Sequence, residues 1–165
     1  MTTTESTAPA AQGSDATTAS SPANNKHFRK ALNYLNANNL GQLKAVHTHT
    51  NVGARDTEFY TAAIADEVYT RLALFNDICV GGVTAKPAQD ATQIEITSLA
   101  VLPAYRHLGL GTMLIDHVAE KGEAAGVREL RVANVGKDER AFYIARGFVE
   151  RDGGFVKTLA GPVSA

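Results

Sequence analysis

The order of apolar runs predicts an α/β (α+β) chain: a mixed, mostly antiparallel sheet of about seven strands flanked by about four helices. Three observations carry that reading. Residues 71–75 and 78–84 have strand composition and are joined by Asn76-Asp77, a hairpin signal. A long apolar run over 93–102 stops at Pro103, whose missing N–H cannot continue a ladder. A helix then carries Leu110, Leu114 and Val118 at a spacing of four, with Gly126 placed to terminate it.

The remaining elements fill in around these. Residues 1–26 are Thr, Ser, Ala, Pro and Asn with little to bury, so they read as a disordered tail ahead of one domain over 27–165. Glu5, Asp15 and the absence of Arg or Lys before Lys26 argue against a transit peptide. Ala31 to Leu35 reads as a first strand, followed by a helix from about Asn39 with Leu40, Leu43 and Val46 on one side. Asp56 is a candidate N-cap for a second helix holding Phe59, Tyr60, Ala63 and Ile64. Residues 127–132 read as a strand and 138–145 as a short helix. A last hairpin is expected around Asp152-Gly153-Gly154.

A net charge of -1 gives no electrostatic footprint for DNA or an anionic membrane. No apolar run approaches the ~18 residues of a membrane helix. Cys79 is the single cysteine, which excludes an internal disulfide and fits a reducing compartment. His47-Thr48-His49 is a weak metal signal without cysteine partners, and no metal is expected.

The richest stretch chemically is Arg106-His107-Leu108-Gly109-Leu110-Gly111-Thr112. Glycines at two positions with a helix starting among them present unpaired backbone N–H groups and a positive dipole end, a site suited to a pyrophosphate. Arg106 adds charged donors at the edge. A phosphate-binding P-loop would need a lysine after its second glycine, and a dinucleotide fingerprint would need a third glycine where Leu114 stands. Neither pattern is met.

The run over 99–112 resembles the acetyl-CoA signature of GNAT acetyltransferases, Q/R-x-x-G-x-G/A after their fourth strand. Ala141 to Phe148 resembles their later A-x-x-F-Y-x-x-x-G-F segment. Residues 74–81 and the spacing of Phe59-Tyr60 are similar to the San-type, or NatE-type, protein N-terminal acetyltransferases. The resemblance implies acetyl-CoA as cosubstrate, held by Leu99, Ala100, Val101, Arg106, His107, Leu108, Gly109, Leu110, Gly111, Thr112 and Tyr143. It places an oxyanion-stabilising N–H at a bulged strand end around Leu99 to Val101, and a thiolate-protonating role at Tyr143. It also implies a cytoplasmic enzyme acting on nascent protein N-termini and docking on the large auxiliary and catalytic subunits of the NatA complex. The ribosome is then met only indirectly.

The amine side departs from that family. Its proton-relay tyrosine and histidine align with Glu95 and Arg131, and arginine stays protonated and cannot serve as a base. The two are expected on neighbouring strands, either as an ion pair that would make Glu95 a poorer base or as two solvated charges at a sheet end. The family's Phe-Pro-Val peptide loop becomes Asn51-Val52-Gly53-Ala54-Arg55, so substrate contacts fall on Val52, Gly53, Arg55, Thr97 and Phe155. Losing that apolar wall removes burial worth about 1.5–3 kcal/mol for a methionine side chain. A cofactor-binding asparagine appears as Gly136. Three readings follow: an N-terminal acetyltransferase with an eroded amine site, a non-catalytic acetyl-CoA-binding subunit of the NatA/NatE complex, or a GNAT enzyme for lysine or a small amine.

Overall fold

A computed structural model describes residues 28–90 and 92–160 of the chain. The expected tail over 1–26 lies outside the described residues. Seven strands form one sheet: β1 (Lys30–Tyr34), β2 (Arg71–Phe75), β3 (Ile78–Pro87), β4 (Gln93–Val101), β5 (Glu129–Ala133), β6 (Val149–Arg151) and β7 (Gly154–Thr158). Their order is β1-β2-β3-β4-β5-β7-β6. Every neighbouring pair is antiparallel except β4 with β5. The four helices are α1 (Leu40–Thr48), α2 (Thr57–Ala65), α3 (Leu110–Ala124) and α4 (Arg140–Ala145).

Local chemistry explains the turns. Asn76 and Asp77 both take positive φ, 51° and 71°, the twist a two-residue hairpin requires. Asp152 and Gly153 repeat it at 53° and 79°, so Gly154, expected in the loop, is already the first residue of β7. The Asp56 carboxylate accepts the Phe59 N–H at 2.9 Å and caps α2 as expected. Gly126, at φ 82°, closes α3. The short helix expected over 138–145 is two pieces, a 3-10 turn over Lys137–Glu139 and then α4.

Alternation along the strands divides the core between two faces. On one face, Leu72 of β2 meets Leu43 of α1 and Tyr60 and Ala63 of α2. On the other, Ala73, Val83, Ile94 and Leu130 meet Leu114, Ile115 and Val118 of α3, with Tyr143, Phe148 and Phe155 completing the cluster. Each fully buried aliphatic side chain there stabilises the fold by about 1.5–3 kcal/mol.

One irregularity shapes everything that follows. Thr84 pairs with Ser98 but Ala85 pairs with Ile96, so Thr97 is an extra, bulged residue on β4. The bulge was expected at Leu99 to Val101 and stands at Thr97 instead. It resets the alternation: Ile94 and Ile96 pack in the cluster beneath α3, whereas Ser98 reaches His47 of α1. The parallel pairing of β4 with β5 also ends here, at Ile96 and Val132, and beyond it the two strands part.

Candidate active site

The parting of β4 and β5 opens a cleft with two lobes. The larger, about 640 Å³, lies between the end of β4, the start of α3 and α4. The smaller, about 340 Å³, lies between the α1–α2 loop and the residues flanking the bulge. Asn51, Val52, Leu99, Glu139 and Tyr143 line both and mark their junction.

The larger lobe is lined by backbone amides and by two arginines. β4 pairs only with β3 past Ile96, and the Leu102 N–H donates to the Val80 carbonyl at 2.8 Å. By alternation, the amides of Leu99 and Val101 turn into the gap. The Val101 carbonyl is taken by Arg106 Nε at 2.9 Å, which fixes the strand end to the loop. His107 at φ 66° and Gly109 at φ 86° then wind the chain sharply into α3. No side chain caps α3, so the first-turn N–H groups at Leu110, Gly111 and Thr112 are open to an anion. Arg146 donates to Thr112 Oγ1 and brings a second guanidinium to the lobe.

The smaller lobe is polar and carries charge of both signs: Glu95, Glu139, Arg55, Thr97, Ser98 and Asn134 line it. The Arg55 guanidinium sits 5.2 Å from the Phe59 ring centroid. The Glu139 carboxylate accepts the Gly136 N–H at 2.9 Å, the carboxylate half of a capping box at the start of the 3-10 turn. Tyr143 is 3% exposed, stacks on Phe155 at 6.2 Å and meets Phe148 edge-on. Burial, with the Glu139 charge in support, raises its hydroxyl well above the usual phenol range, so it stays protonated.

Most of the expected residues meet in this cleft. Leu99, Ala100, Val101, Arg106, His107, Gly109, Leu110, Gly111, Thr112 and Tyr143 line the larger lobe, and Val52, Arg55, Glu95 and Thr97 the smaller. Four stand elsewhere. The Leu108 carbonyl turns outward to accept from Lys30 Nζ at 2.8 Å. Gly53, at φ 72°, shapes the α1–α2 loop and donates its N–H to the His47 carbonyl at 2.8 Å. Phe155 is 3% exposed and forms the floor beneath Tyr143 rather than a wall. Arg131 is in register with Glu95 but forms no ion pair with it. Its guanidinium donates to the Asp152 carbonyl at 3.2 Å, because the adjoining hairpin offers a nearer acceptor.

Sequence reasoning missed Glu139, Asn134, Arg146 and the polar support beneath the lobe. Glu139 three positions after Gly136 carries a helix-start pattern that flags its carboxylate. His47, read only as a weak metal signal, is fully buried between Tyr60 and Ser98.

Comparison with known proteins agrees with this geometry. Residues 30–148 match the Acetyltransferase (GNAT) family model. An uncharacterized N-acetyltransferase of Schizosaccharomyces pombe is 32% identical over 124 residues, 72% of this chain and 86% of the relative. N-alpha-acetyltransferase 50 of Danio rerio is 31% identical over 100 residues, 59% of this chain and 60% of the relative. Arabidopsis thaliana Naa50, solved in complex with the bisubstrate analogue CoA-Ac-MVNAL, superposes with a TM-score of 0.68 at 28% identity, over 77% of this chain and 95% of that one. A matched stretch this long, carrying both glycine-turn and Phe-Tyr segments on the expected sheet, places the chain in the GNAT family of acetyltransferases.

Proposed function

We propose that this chain transfers acetyl from acetyl-CoA to the α-amine at a protein N-terminus. The observation that carries it is the pair of lobes meeting at Leu99 and Tyr143. One lobe offers open amides and two guanidiniums to a phosphate-rich ligand. The other opens beneath the α1–α2 loop, where an amine can enter. Coenzyme A fits the residues present: the first-turn N–H groups of α3 and Arg146 hold its diphosphate, and the amides of Leu99 and Val101 run beside its arm. Bound there, acetyl-CoA supplies an activated thioester. An N–H at the strand end stabilises negative charge on the carbonyl oxygen, and Tyr143 protonates the departing sulfur.

The names of the zebrafish and Arabidopsis relatives support the choice of N-terminal amines, and the Arabidopsis analogue joins coenzyme A to a Met-first pentapeptide. The amine lobe here is more polar than the San-type pattern. Val52 is the one apolar residue of the 51–55 loop that faces it, and Arg55 covers Phe59. Preference therefore shifts from a first methionine toward polar or small first residues. A cytoplasmic setting and docking on the NatA subunits, near the ribosome, belong to the same reading and rest on the resemblance alone.

The test is acetyl transfer from acetyl-CoA to peptides differing in their first residue, beside lysine peptides and polyamines. Turnover of N-terminal amines alone supports the reading, and turnover of lysine or polyamine alone overturns it. Coenzyme A binding with silence across the panel makes the chain a non-catalytic subunit. Saturation at ~100-fold above Kd raises stability by about 2.7 kcal/mol where binding is real.

A further inference from the structure

We propose that Glu139, rather than Glu95, is the carboxylate that takes the proton from the attacking amine. The inference rests on the acetyl-transfer reading above and names the base within that site.

A base has to stand where nitrogen meets the thioester, at hydrogen-bonding reach of the proton it removes. The junction of the two lobes is that place, and of the five residues lining it Glu139 is the one carboxylate. Glu95 lines only the amine lobe. It lies four residues before Leu99 on β4, three ladder positions once the Thr97 bulge is counted, or roughly 10 Å at ordinary strand rise. Glu139 is also held in place. Its Oε1 accepts the Gly136 N–H at 2.9 Å, while Oε2 has no hydrogen-bond partner among the described residues. Tyr143, beside it, feels its charge. The Tyr143 hydroxyl likewise has no hydrogen-bond partner among the described residues. A carboxylate and a phenol therefore line the same junction, each with an oxygen that has no partner among the described residues.

The step balances with these two groups. Glu139 removes one proton from the substrate ammonium, and the freed nitrogen pair attacks the thioester carbon. The C–N bond forms and the C–S bond breaks. Tyr143 gives its proton to the departing sulfur and takes the second nitrogen proton in return. Glu139 then releases its proton to water at the mouth of the cleft, so ammonium and acetyl-CoA yield amide, free thiol and one proton.

The variants Glu139→Gln and Glu95→Gln in the full chain test this. Glutamine keeps the acceptor for the Gly136 N–H, so Glu139→Gln should melt and bind coenzyme A as wild type does, which thermal unfolding and calorimetry read directly. Its kcat should fall about 100-fold, in the range of a lost general base. Its Kd for a Ser-first peptide, titrated into the protein loaded with coenzyme A, should rise about tenfold. Glu95→Gln should raise KM and keep kcat. A small primary amine at high concentration runs beside the peptide because it needs no peptide pocket. Rejection of the peptide with turnover of the small amine overturns the peptide reading and leaves the Glu139 measurement intact. A Glu139→Gln protein that keeps kcat with either amine overturns the inference. A fall of about 100-fold in the kcat of Glu95→Gln does so as well, and so does a wild type inert toward both amines.

Discussion

The Tyr60 hydroxyl lies 2.7 Å from Nδ1 of His47, and that contact fixes how α2 is held to the sheet. The proton order follows from counting. Thr97 donates its hydroxyl proton to the Thr84 carbonyl, so in the 2.6 Å contact between the two threonines Thr84 is the donor. Thr84 then has no proton left for Ser98, and Ser98 donates to Thr84. His47 Nε2 must donate to Ser98 at 3.2 Å, which leaves Nδ1 as the acceptor for Tyr60. The imidazole is therefore neutral and in a single tautomer. Through it the wall of the amine lobe is tied to both helices above.

That arrangement makes stability depend on pH. Burial, with Arg55 nearby, lowers the His47 pKa from 6.5 to about 4. The fold holds the neutral ring, so its contribution is complete above pH 6.5. It is lost as pH falls toward 4, because the unfolded chain takes up a proton that the folded chain refuses. The difference is worth about 3 kcal/mol. Urea unfolding at pH 7, 5.5 and 4 should show the decline, and His47→Gln should flatten the part of it due to this ring. An equal slope in the variant would remove His47 as its source.

Tyr143 makes a cleaner probe of chemistry than of folding. Phenylalanine preserves the stack on Phe155 and the edge contact with Phe148, so Tyr143→Phe should unfold within about 1 kcal/mol of wild type. Without the phenolic proton, kcat should drop roughly 100-fold. Because burial raises this hydroxyl, the wild-type rate should show no alkaline limb from it below pH 10. Steady-state kinetics of both proteins between pH 6 and 10 check all three outcomes.

The fold was legible because its signals are local. Asn76-Asp77, Pro103, Gly126 and the fourfold spacing of Leu110, Leu114 and Val118 act within a few residues, and each stands where expected. The turn into α3 was legible for the same reason, since His107 to Thr112 is one continuous stretch. The amine lobe was not. It joins the 51–55 loop, a β4 bulge and the turn before α4, and no local pattern announces that Thr97 is the residue left over when β4 pairs with β3. Arg131 was placed correctly by register, yet its side chain chose the Asp152 carbonyl, a contact set by the β6–β7 hairpin and invisible from its own strand.

Gly109 links backbone geometry to ligand binding. At φ 86° a side chain is strained, so Gly109→Ala should cost about 1 kcal/mol of stability. The same strain turns the first amides of α3 away from a common point. The thermal shift that coenzyme A produces should therefore shrink beyond the change in the free protein, by about tenfold in Kd when titrated calorimetrically. An unchanged Kd would mean that these amides do not bind the diphosphate.

Phe155 separates floor from wall. As a core residue it carries the Tyr143 ring, and the Arg140 guanidinium lies 5.2 Å from its centroid. Truncation to alanine removes a buried ring and leaves a cavity, which should cost about 3–5 kcal/mol. Conservative Phe155→Leu should recover most of that. A true wall residue would behave in the opposite way, with stability kept and KM for the amine raised in both variants. Chemical denaturation beside KM therefore decides it. Destabilisation with an unchanged KM in Phe155→Leu places the ring under the site, and its effect on the reaction then passes entirely through the position of Tyr143.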